Sequence, residues 1–548
     1  MGRDEGFERD IEYWMVALGT AVGFGCIWRF PYMVFRNGGA AFLIPYYLLI
    51  WLFGAPLMAL ETAIGQYFRT GAVSMYRKVS EKYQGIAWVG IAACFFVGTL
   101  YIYLLAYVFL YLKETLVGLP YLDGAEDQIL KLTREFYYTK ILNISTKKDT
   151  LEGFHWPLLI TVIFSWLLVY YVIRNGISQT GKIAVFTVLS PYILLLVFLI
   201  RVSMLDGFGQ GLMYLFYPDF TKLFTFQIWK DAMTQVAFQL SVGQTMMIVF
   251  ASFRKVNRKY VLPSRLIPFI NSMTGIIASL IIFGYLGFYC KKYNLEIDSL
   301  DIAGPGLVFI TIPACLSTMW WPTFWILLMM LNLVLIGIDS QFGICESCIY
   351  LIEDLKLEWN GELIESSKIK IGVMGFMALC GLPIATRGGT YVLELIDTFG
   401  FAIPCSISMF GTVYIWVKKT KIENLFSQLS RATGESFPKF ELQALQTLGL
   451  PVTVAMIGIC MYMTIINGII HNTFTLTFML IGICITTVAV LPGVYYYWRY
   501  KDSADIEDPY TYDLISDPIH GGDAALSLRE QLKELQEQPP SRSERSEV

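Results

Sequence analysis

GTAVGFGCIWRFP, residues 19–31, lies inside the first long apolar run of the chain and gathers Gly19, Gly23 and Gly25 near its centre. Within hydrocarbon every backbone N–H and C=O needs a partner, so a helix interrupted there must line a cavity or meet protein that completes it. Taken singly, such glycines are more often packing residues where membrane helices touch. A second interruption changes the balance. QVAFQLSVGQTMM, residues 235–247, sets Ser241, Gly243 and Gln244 inside the sixth apolar run. Breaks at matching places in segments one and six point to two five-helix repeats of opposite topology with a site at their interface. There half-helix N-termini attract anionic groups and freed carbonyls coordinate a cation.

The rest of the chain fits that reading. A span needs about 20 mostly apolar residues, and this ruler finds twelve: 13–35, 40–67, 85–117, 156–174, 181–202, 227–253, 262–289, 322–352, 369–385, 390–417, 445–470 and 474–499. Of 548 residues, 55% are apolar and 16% charged, where a soluble chain carries about 25% charged. The expected fold is therefore an all-α polytopic membrane protein with twelve transmembrane helices, a 5+5 inverted repeat, and helices 1 and 6 unwound at mid-membrane. The expected divisions are an N-terminal segment 1–12, a first repeat 13–202, an extracellular loop 203–226 and a second repeat 227–417. A cytoplasmic loop 418–444, two last spans within 445–500 and a tail 501–548 follow, the tail reading as a short amphipathic piece and then disorder.

Orientation comes from Lys and Arg in the connecting loops. With both termini cytoplasmic, the inner loops hold Arg69, Arg77, Lys78 and Lys82, then Arg254, Lys255, Arg258 and Lys259, then Lys418, Lys419 and Lys421. The segment 118–155 carries the sequon Asn143-Ile144-Ser145, a glycosylation acceptor when that loop faces outside. The first run lacks a small-residue cleavage site, so no cleavable signal is expected. The net charge of −3 without a long basic run argues against nucleic acid as a partner. His155, His471 and His520 all lie outside apolar runs, so neither a transition-metal centre nor histidine catalysis is expected, and no nucleophile marks the chain as an enzyme. Cysteines such as Cys94, Cys380, Cys460 and Cys484 read as small core residues rather than a disulfide framework.

Charged residues at depth sharpen the site. A charge at the bilayer centre costs about 2.5–3.5 kcal/mol even on the lenient insertion scale, so Glu61, Asp339 and Glu346 must face partners. In IGIDSQFGICES, residues 336–347, Asp339 and Ser340 present adjacent oxygens. A carboxylate, a hydroxyl and freed carbonyls make a hard-oxygen cage suited to an alkali cation and not to zinc. Glu61 is expected to hydrogen-bond unwound backbone rather than to handle substrate.

The stretch 19–31, NGGAAFLIPY at 37–46 and IGIDS at 336–340 resemble the neurotransmitter/sodium symporter family, over about residues 5–500. Gly181 and Pro191 bracket nine residues, a spacing that family uses where its fifth helix unwinds toward the cytoplasm. The resemblance implies a second sodium site on the carbonyls of Gly19, Val22 and Ile336 with the side chains of Asp339 and Ser340. It implies a substrate cradle at Gly23, Phe24 and Gly25, with Tyr101 donating to the substrate carboxylate. Thr20, Val97, Phe238, Ser241, Gln244 and Ile344 would line the side-chain pocket. Monoamine carriers of the family have aspartate where this chain has Gly23, so the resemblance is to amino-acid carriers, whose substrate brings its own anion. Arg29 and Asp397 match the outer gate, above a lid of Tyr101 and Phe238. Asp354 matches the acidic partner of the inner gate, with Arg3 one position displaced from the family's arginine and Phe7 in place of a tryptophan; a solvated helix end is the alternative for Asp354.

Two departures stand out. The family's first sodium site falls on Ala21, Cys26, Gln239 and Asn271, where Cys26 replaces an asparagine and Gln239 a hydroxyl residue. Thiol sulfur suits sodium poorly. The chloride site keeps Tyr46 and Gln235, but Gln239 and Gly275 replace its serines. The resulting expectation is a plasma-membrane symporter that imports a neutral amino acid on sodium at the second site alone, with the Gln239 amide donating to the substrate in place of the missing cation. The alternatives are a GABA-like or osmolyte substrate, or a non-transporting sensor on the same fold.

Overall fold

The computed structural model describes residues 6–124, 128–145, 150–297, 300, 306–466 and 475–510. The helices that matter below are α1 (Asp10–Ala21), α2 (Phe30–Arg36), α3 (Gly39–Phe68), α4 (Gln84–Val117), α5 (Trp156–Ile173) and α6 (Ile177–Ser203). They continue with α7 (Phe226–Leu240), α8 (Met246–Ser252), α9 (Val261–Tyr293), α10 (Pro322–Asp354), α11 (Ser366–Ala385) and α12 (Gly389–Lys419). The last three are α13 (Ile422–Thr433), α14 (Lys439–Ile465) and α15 (Leu476–Arg499).

The protein is mostly helical. Among the described residues ten helices are long and apolar enough to cross a membrane, or eleven when α1 and α2, bent by 50°, count as one span. The expected count was twelve, and the difference is local. The run expected at 227–253 is two helices, α7 and α8, separated by residues with left-handed backbone, and neither half has spanning length by itself.

Layering follows apolarity. α1 packs against α6 and α10, α10 against α4, and α8 against α3, so both interrupted segments lie inside a jacket of longer helices. α15 turns much of its apolar surface outward, with Leu476, Val488 and Trp498 exposed, as a helix against lipid does.

Several connections hold more structure than expected. The loop at 203–226 contains a helix, Phe208–Phe216, packed on α9. A short apolar helix, Leu307–Ser317, precedes α10. The loop at 418–444 contains α13, and the hairpin β1 (Glu358–Trp359) with β2 (Glu362–Leu363) pairs Glu358 with Leu363. The start of the tail, expected as a short amphipathic piece, docks on the helices: Tyr510 is 1% exposed and packs against Tyr67, Phe68 and Trp416. Of the cysteines read as core, Cys94 and Cys460 are buried, while Cys380 and Cys484 are exposed.

Candidate substrate and cation site

The last turn of α1 closes with Val22 N–H donating to the Leu18 carbonyl at 2.7 Å, and Val22 then leaves helical geometry at φ −89°, ψ 87°. A helix end strands its final carbonyls, and here other helices take them. Ser340 Oγ on α10 donates to the Gly19 carbonyl at 2.9 Å. Ser241 Oγ donates to the Thr20 carbonyl at 3.3 Å, and Asn271 Nδ2 on α9 to the Ala21 carbonyl at 3.1 Å.

The break between α7 and α8 is built on positive φ at Ser241 (52°), Gly243 (76°) and Thr245 (61°). Non-glycine residues there cost of order 1–3 kcal/mol each and persist only where surroundings hold them. Glu61 supplies such a hold: its Oε1 accepts from Gly243 N–H at 2.8 Å, the backbone role expected of it. A side chain at Gly243 would also meet Met409 Cγ at 2.3 Å.

Beside the α1 break, Gly19, Val22, Ile336 and Asp339 line one small cavity, with Thr187 and Pro191 of α6 on its far wall. Ser340, the remaining expected member, is tied to this group through Gly19. Carbonyls, a carboxylate and a hydroxyl are the hard donors that a sodium ion takes. Thr187 Oγ1 donates to Asp339 Oδ1 at 2.5 Å. That partner was not read from the sequence, although its place four residues before Pro191 was an available signal.

On the other side of α1 lies a second cavity of about 30 Å³. Every residue expected in the substrate cradle and pocket lines it, from Thr20, Gly23, Phe24 and Gly25 through Val97, Tyr101 and Phe238 to Gln239, Ser241, Gln244 and Ile344. Ser340 lines it as well, and its bond to the Gly19 carbonyl links this cavity to the first. The glycines are needed for space. A Cβ at Gly23 would lie 2.6 Å from Tyr101 Oη and 2.8 Å from Ser340 Oγ, and one at Gly25 would lie 2.8 Å from the Phe238 ring. Tyr101 Oη accepts from Phe24 N–H at 3.1 Å, which leaves its own proton to give. The Phe24 ring is clamped between Trp28 and Tyr101.

The side chains expected around the first sodium and chloride are hydrogen-bonded to one another. Tyr46 Oη donates to Gln239 Oε1 at 2.6 Å, and Gln239 Nε2 donates to Cys26 Sγ at 3.3 Å. Cys26 Sγ donates to Asn271 Oδ1 at 2.8 Å, and Asn271 Nδ2 returns to the Gln239 carbonyl at 2.8 Å. Gln235 Nε2 gives one N–H to the Gly25 carbonyl at 3.1 Å. A Cβ at Gly275 would lie 2.9 Å from the Phe30 ring, which occupies the room a serine would need. Gln239 thus commits one N–H to Cys26 rather than to the pocket.

The residues expected at the gates are brought together only in part. Arg29 and Asp397 line a common cavity of about 50 Å³, yet among the described residues no ion pair joins them, and the Arg29 guanidinium sits 4.8 Å over the Phe238 ring. Arg3 lies outside the described residues. Asp354 packs against Gly71, whose Cβ would collide with its carboxylate. Phe7 meets the Tyr13 ring edge-on at 5.7 Å. Asn143 is partly exposed, in a segment pinned by Ser145 N–H to the Arg387 carbonyl at 2.9 Å.

Known proteins resemble this chain along much of its length. It is 30% identical over 436 residues to a sodium- and chloride-dependent GABA transporter 2 of Homo sapiens, covering 75% of this chain and 72% of the relative. It is 31% identical over 445 residues to a sodium- and chloride-dependent creatine transporter 1 of Mus musculus, covering 75% and 68%. It is 30% identical over 420 residues to a sodium- and chloride-dependent taurine transporter of Bos taurus, covering 72% and 68%. A family of transporters, not enzymes, accounts for residues 4–501, nearly the whole chain. That match, with the relatives just named, establishes that the chain belongs to the sodium:neurotransmitter symporter family.

Proposed function

We propose that this protein is a plasma-membrane symporter that uses one sodium ion, held at the Gly19, Val22, Ile336, Asp339 and Ser340 cage, to import a small zwitterionic amino acid by alternating access. The single observation that carries the reading is Ser340. Its hydroxyl bonds the Gly19 carbonyl at the cation cavity while the same residue lines the substrate cavity, so filling one site shapes the other. Among the described residues no carboxylate lines the pocket, and a side chain at Gly23 would meet Tyr101 and Ser340, so the substrate supplies its own anion to the Tyr101 hydroxyl and the amides of Gly23 and Gly25.

In this reading the chain has twelve spans with both termini cytoplasmic and two inverted repeats, 13–202 and 227–417, whose first helices are the broken ones. Sodium enters between α1 and α10, the amino acid follows, and Tyr101 with Phe238 closes over it. Arg29 then leaves the Phe238 face and meets Asp397 across their shared cavity. On the inner side Asp354 is the acidic gate residue and Arg3 its proposed partner, while Asn143 is the proposed glycan acceptor. A zwitterion with one sodium moves one net charge inward, aided by about 2.3 kcal/mol per 100 mV. A ligand shifts only an equilibrium whose states it distinguishes, so substrate must favour the closed form.

Chloride and the first sodium play no part in this cycle. In support of this, the Tyr46 hydroxyl and one N–H of Gln235 are engaged by protein acceptors, and Gln239 donates to Cys26 where the resemblance expects sodium. Purified protein in proteoliposomes tests the whole reading: a sodium gradient should drive accumulation with a Hill coefficient near one, unchanged when gluconate replaces chloride. A Hill coefficient near two, or loss of uptake in gluconate, rejects the single-ion cycle.

A second reading concerns the substrate. The relatives named above carry GABA, creatine and taurine, which favours a GABA-like or osmolyte solute with its amine set further from its acid. A radiolabelled panel of neutral α-amino acids beside GABA, taurine and creatine separates the two. Binding without accumulation of any of them identifies a sensor instead.

A further inference from the structure

We infer that Thr187 is a positioning residue of the cation site, holding the Asp339 carboxylate in its coordinating pose and thereby tying α6 to sodium occupancy; this rests on the sodium reading of the cage proposed above. The Thr187 hydroxyl has one proton and two acceptors in reach, the Ile183 carbonyl at 3.1 Å and Asp339 Oδ1 at 2.5 Å. The carboxylate is nearer and charged, and charge-assisted hydrogen bonds are the shorter and stronger kind. With Oδ1 so engaged, no described protein donor reaches Oδ2, which is left for a cation in the cavity that Asp339 shares with Gly19, Val22 and Ile336.

The position of Thr187 in α6 makes the contact consequential. Pro191 lacks an N–H and its ring opposes the carbonyl four residues back, so the Thr187 carbonyl loses its helical donor and α6 is weakened at this level. Below it, α6 is fastened to α10 by two further bonds. Thr180 Oγ1 donates to Glu346 Oε1 at 2.7 Å, and Ile177 N–H donates to Tyr350 Oη at 2.9 Å. Ile177, Thr180 and Thr187 ascend one face of α6 while Tyr350, Glu346 and Asp339 descend the facing side of α10, at spacings that keep helical residues on one face. The top rung of this ladder is therefore a ligand of the ion. Coupling between sites is reciprocal: an α6 that swings away releases the carboxylate and weakens sodium, and sodium that fixes the carboxylate keeps α6 docked.

The test uses full-length protein in nanodiscs and proteoliposomes with Thr187→Val, Thr187→Ser, Thr180→Val and Asp339→Asn. Thr187→Val should raise the sodium concentration for half-maximal uptake, and for half-maximal thermal stabilisation, about tenfold. The uptake rate at saturating sodium should stay within about twofold, and Thr187→Ser should restore the midpoint. Hydrogen exchange over residues 177–190 should be slowed by sodium in the native protein and in Thr187→Ser but not in Thr187→Val, while Thr180→Val keeps the native midpoint. A Thr187→Val midpoint within twofold of native, or equal destabilisation in sodium and choline, overturns the inference and leaves Thr187 a packing residue. If Asp339→Asn keeps the native sodium midpoint, the sodium reading of the cage fails; if Asp339→Asn loses the response while Thr187→Val keeps it, only the role of Thr187 fails. Should Thr187→Val not assemble, Thr187→Ala removes the same hydroxyl with less bulk and carries the same expectations.

Discussion

The two flanks of the broken first helix solve one problem in opposite ways. Each must satisfy carbonyls stranded where α1 stops. On the α10 side Ser340 takes the Gly19 carbonyl, and a carboxylate with a cavity remains beside it. On the α9 side Asn271 takes the Ala21 carbonyl and closes a ring of neutral hydrogen bonds with Cys26 and Gln239, which Tyr46 joins and which, among the described residues, contains no carboxylate. A neutral hydrogen bond contributes about 0.5–1.5 kcal/mol net and an unmade buried one costs more, so the closed ring is stable without an ion. The α10 flank keeps a carboxylate in a dry place, where its charge is costly unless a cation answers it.

The largest effect should come from removing that charge. Unit charges 4 Å apart attract by about 4 kcal/mol at an effective permittivity of 20. Asp339→Asn should therefore raise the sodium needed for half-maximal uptake by roughly 100- to 1,000-fold, measured as initial rates against sodium. An unchanged midpoint would put the ion elsewhere and dissolve the contrast. Next comes Gly23→Ala, which pushes a methyl against Tyr101 Oη and Ser340 Oγ. Overpacking costs about 1–3 kcal/mol, so substrate affinity should fall about 5- to 100-fold. The sodium midpoint in substrate-free thermal stabilisation should move less than substrate affinity does.

How far the contrast was legible in the sequence depends on what each residue required. Asp339 and Ser340 were readable because a carboxylate within an apolar run has few places to go, and the helix breaks because Gly19, Gly23 and Gly243 interrupt otherwise continuous runs. Glu61 was readable for the same reason, and its bond to Gly243 follows from the cost of stranded backbone. The ring around Gln239 was not, because a long amide has several rotamers and its choice of Cys26 and Tyr46 depends on three helices meeting. The Arg29 pose was not legible either: the resemblance pairs it with Asp397, whereas the structure lays its guanidinium on Phe238, in a cavity it shares with Asp397. Docking of Tyr510 was missed because one aromatic in a polar tail shows no periodicity, only a partner surface far away in sequence.

A smaller effect separates the cage from its scaffold. Glu61→Ala removes the acceptor of Gly243 N–H, and a stranded buried donor costs about 1–3 kcal/mol. The protein should lose thermal stability equally in sodium and in choline, read by a fluorescence melt, with the sodium midpoint of surviving protein shifted less than about threefold. A selective loss of the sodium response would make Glu61 part of the cation site and blur the distinction between the flanks.

The smallest change in rate should carry the finest information about the closed flank. Cys26→Asn with Gln239→Ser replaces sulfur and amide by the amide and hydroxyl oxygens that a second sodium would take, beside the Ala21 carbonyl and Asn271. The swap opens space where Gln239 now reaches Tyr46, and it frees the Tyr46 hydroxyl proton. Uptake at saturating sodium should change by less than about threefold, since the cage at Asp339 is untouched, but the Hill coefficient should climb from near one toward two. Chloride should begin to raise the rate, because Tyr46 and the new serine hydroxyl could then donate to an anion. Gly275 still lacks a hydroxyl and Phe30 still crowds it, so the chloride effect should remain partial until Gly275→Ser is combined with a smaller residue at 30. If the double variant instead keeps a Hill coefficient of one and ignores chloride, the flank is closed by more than these two side chains, and the backbone of α7 at Gln239 becomes the part that differs.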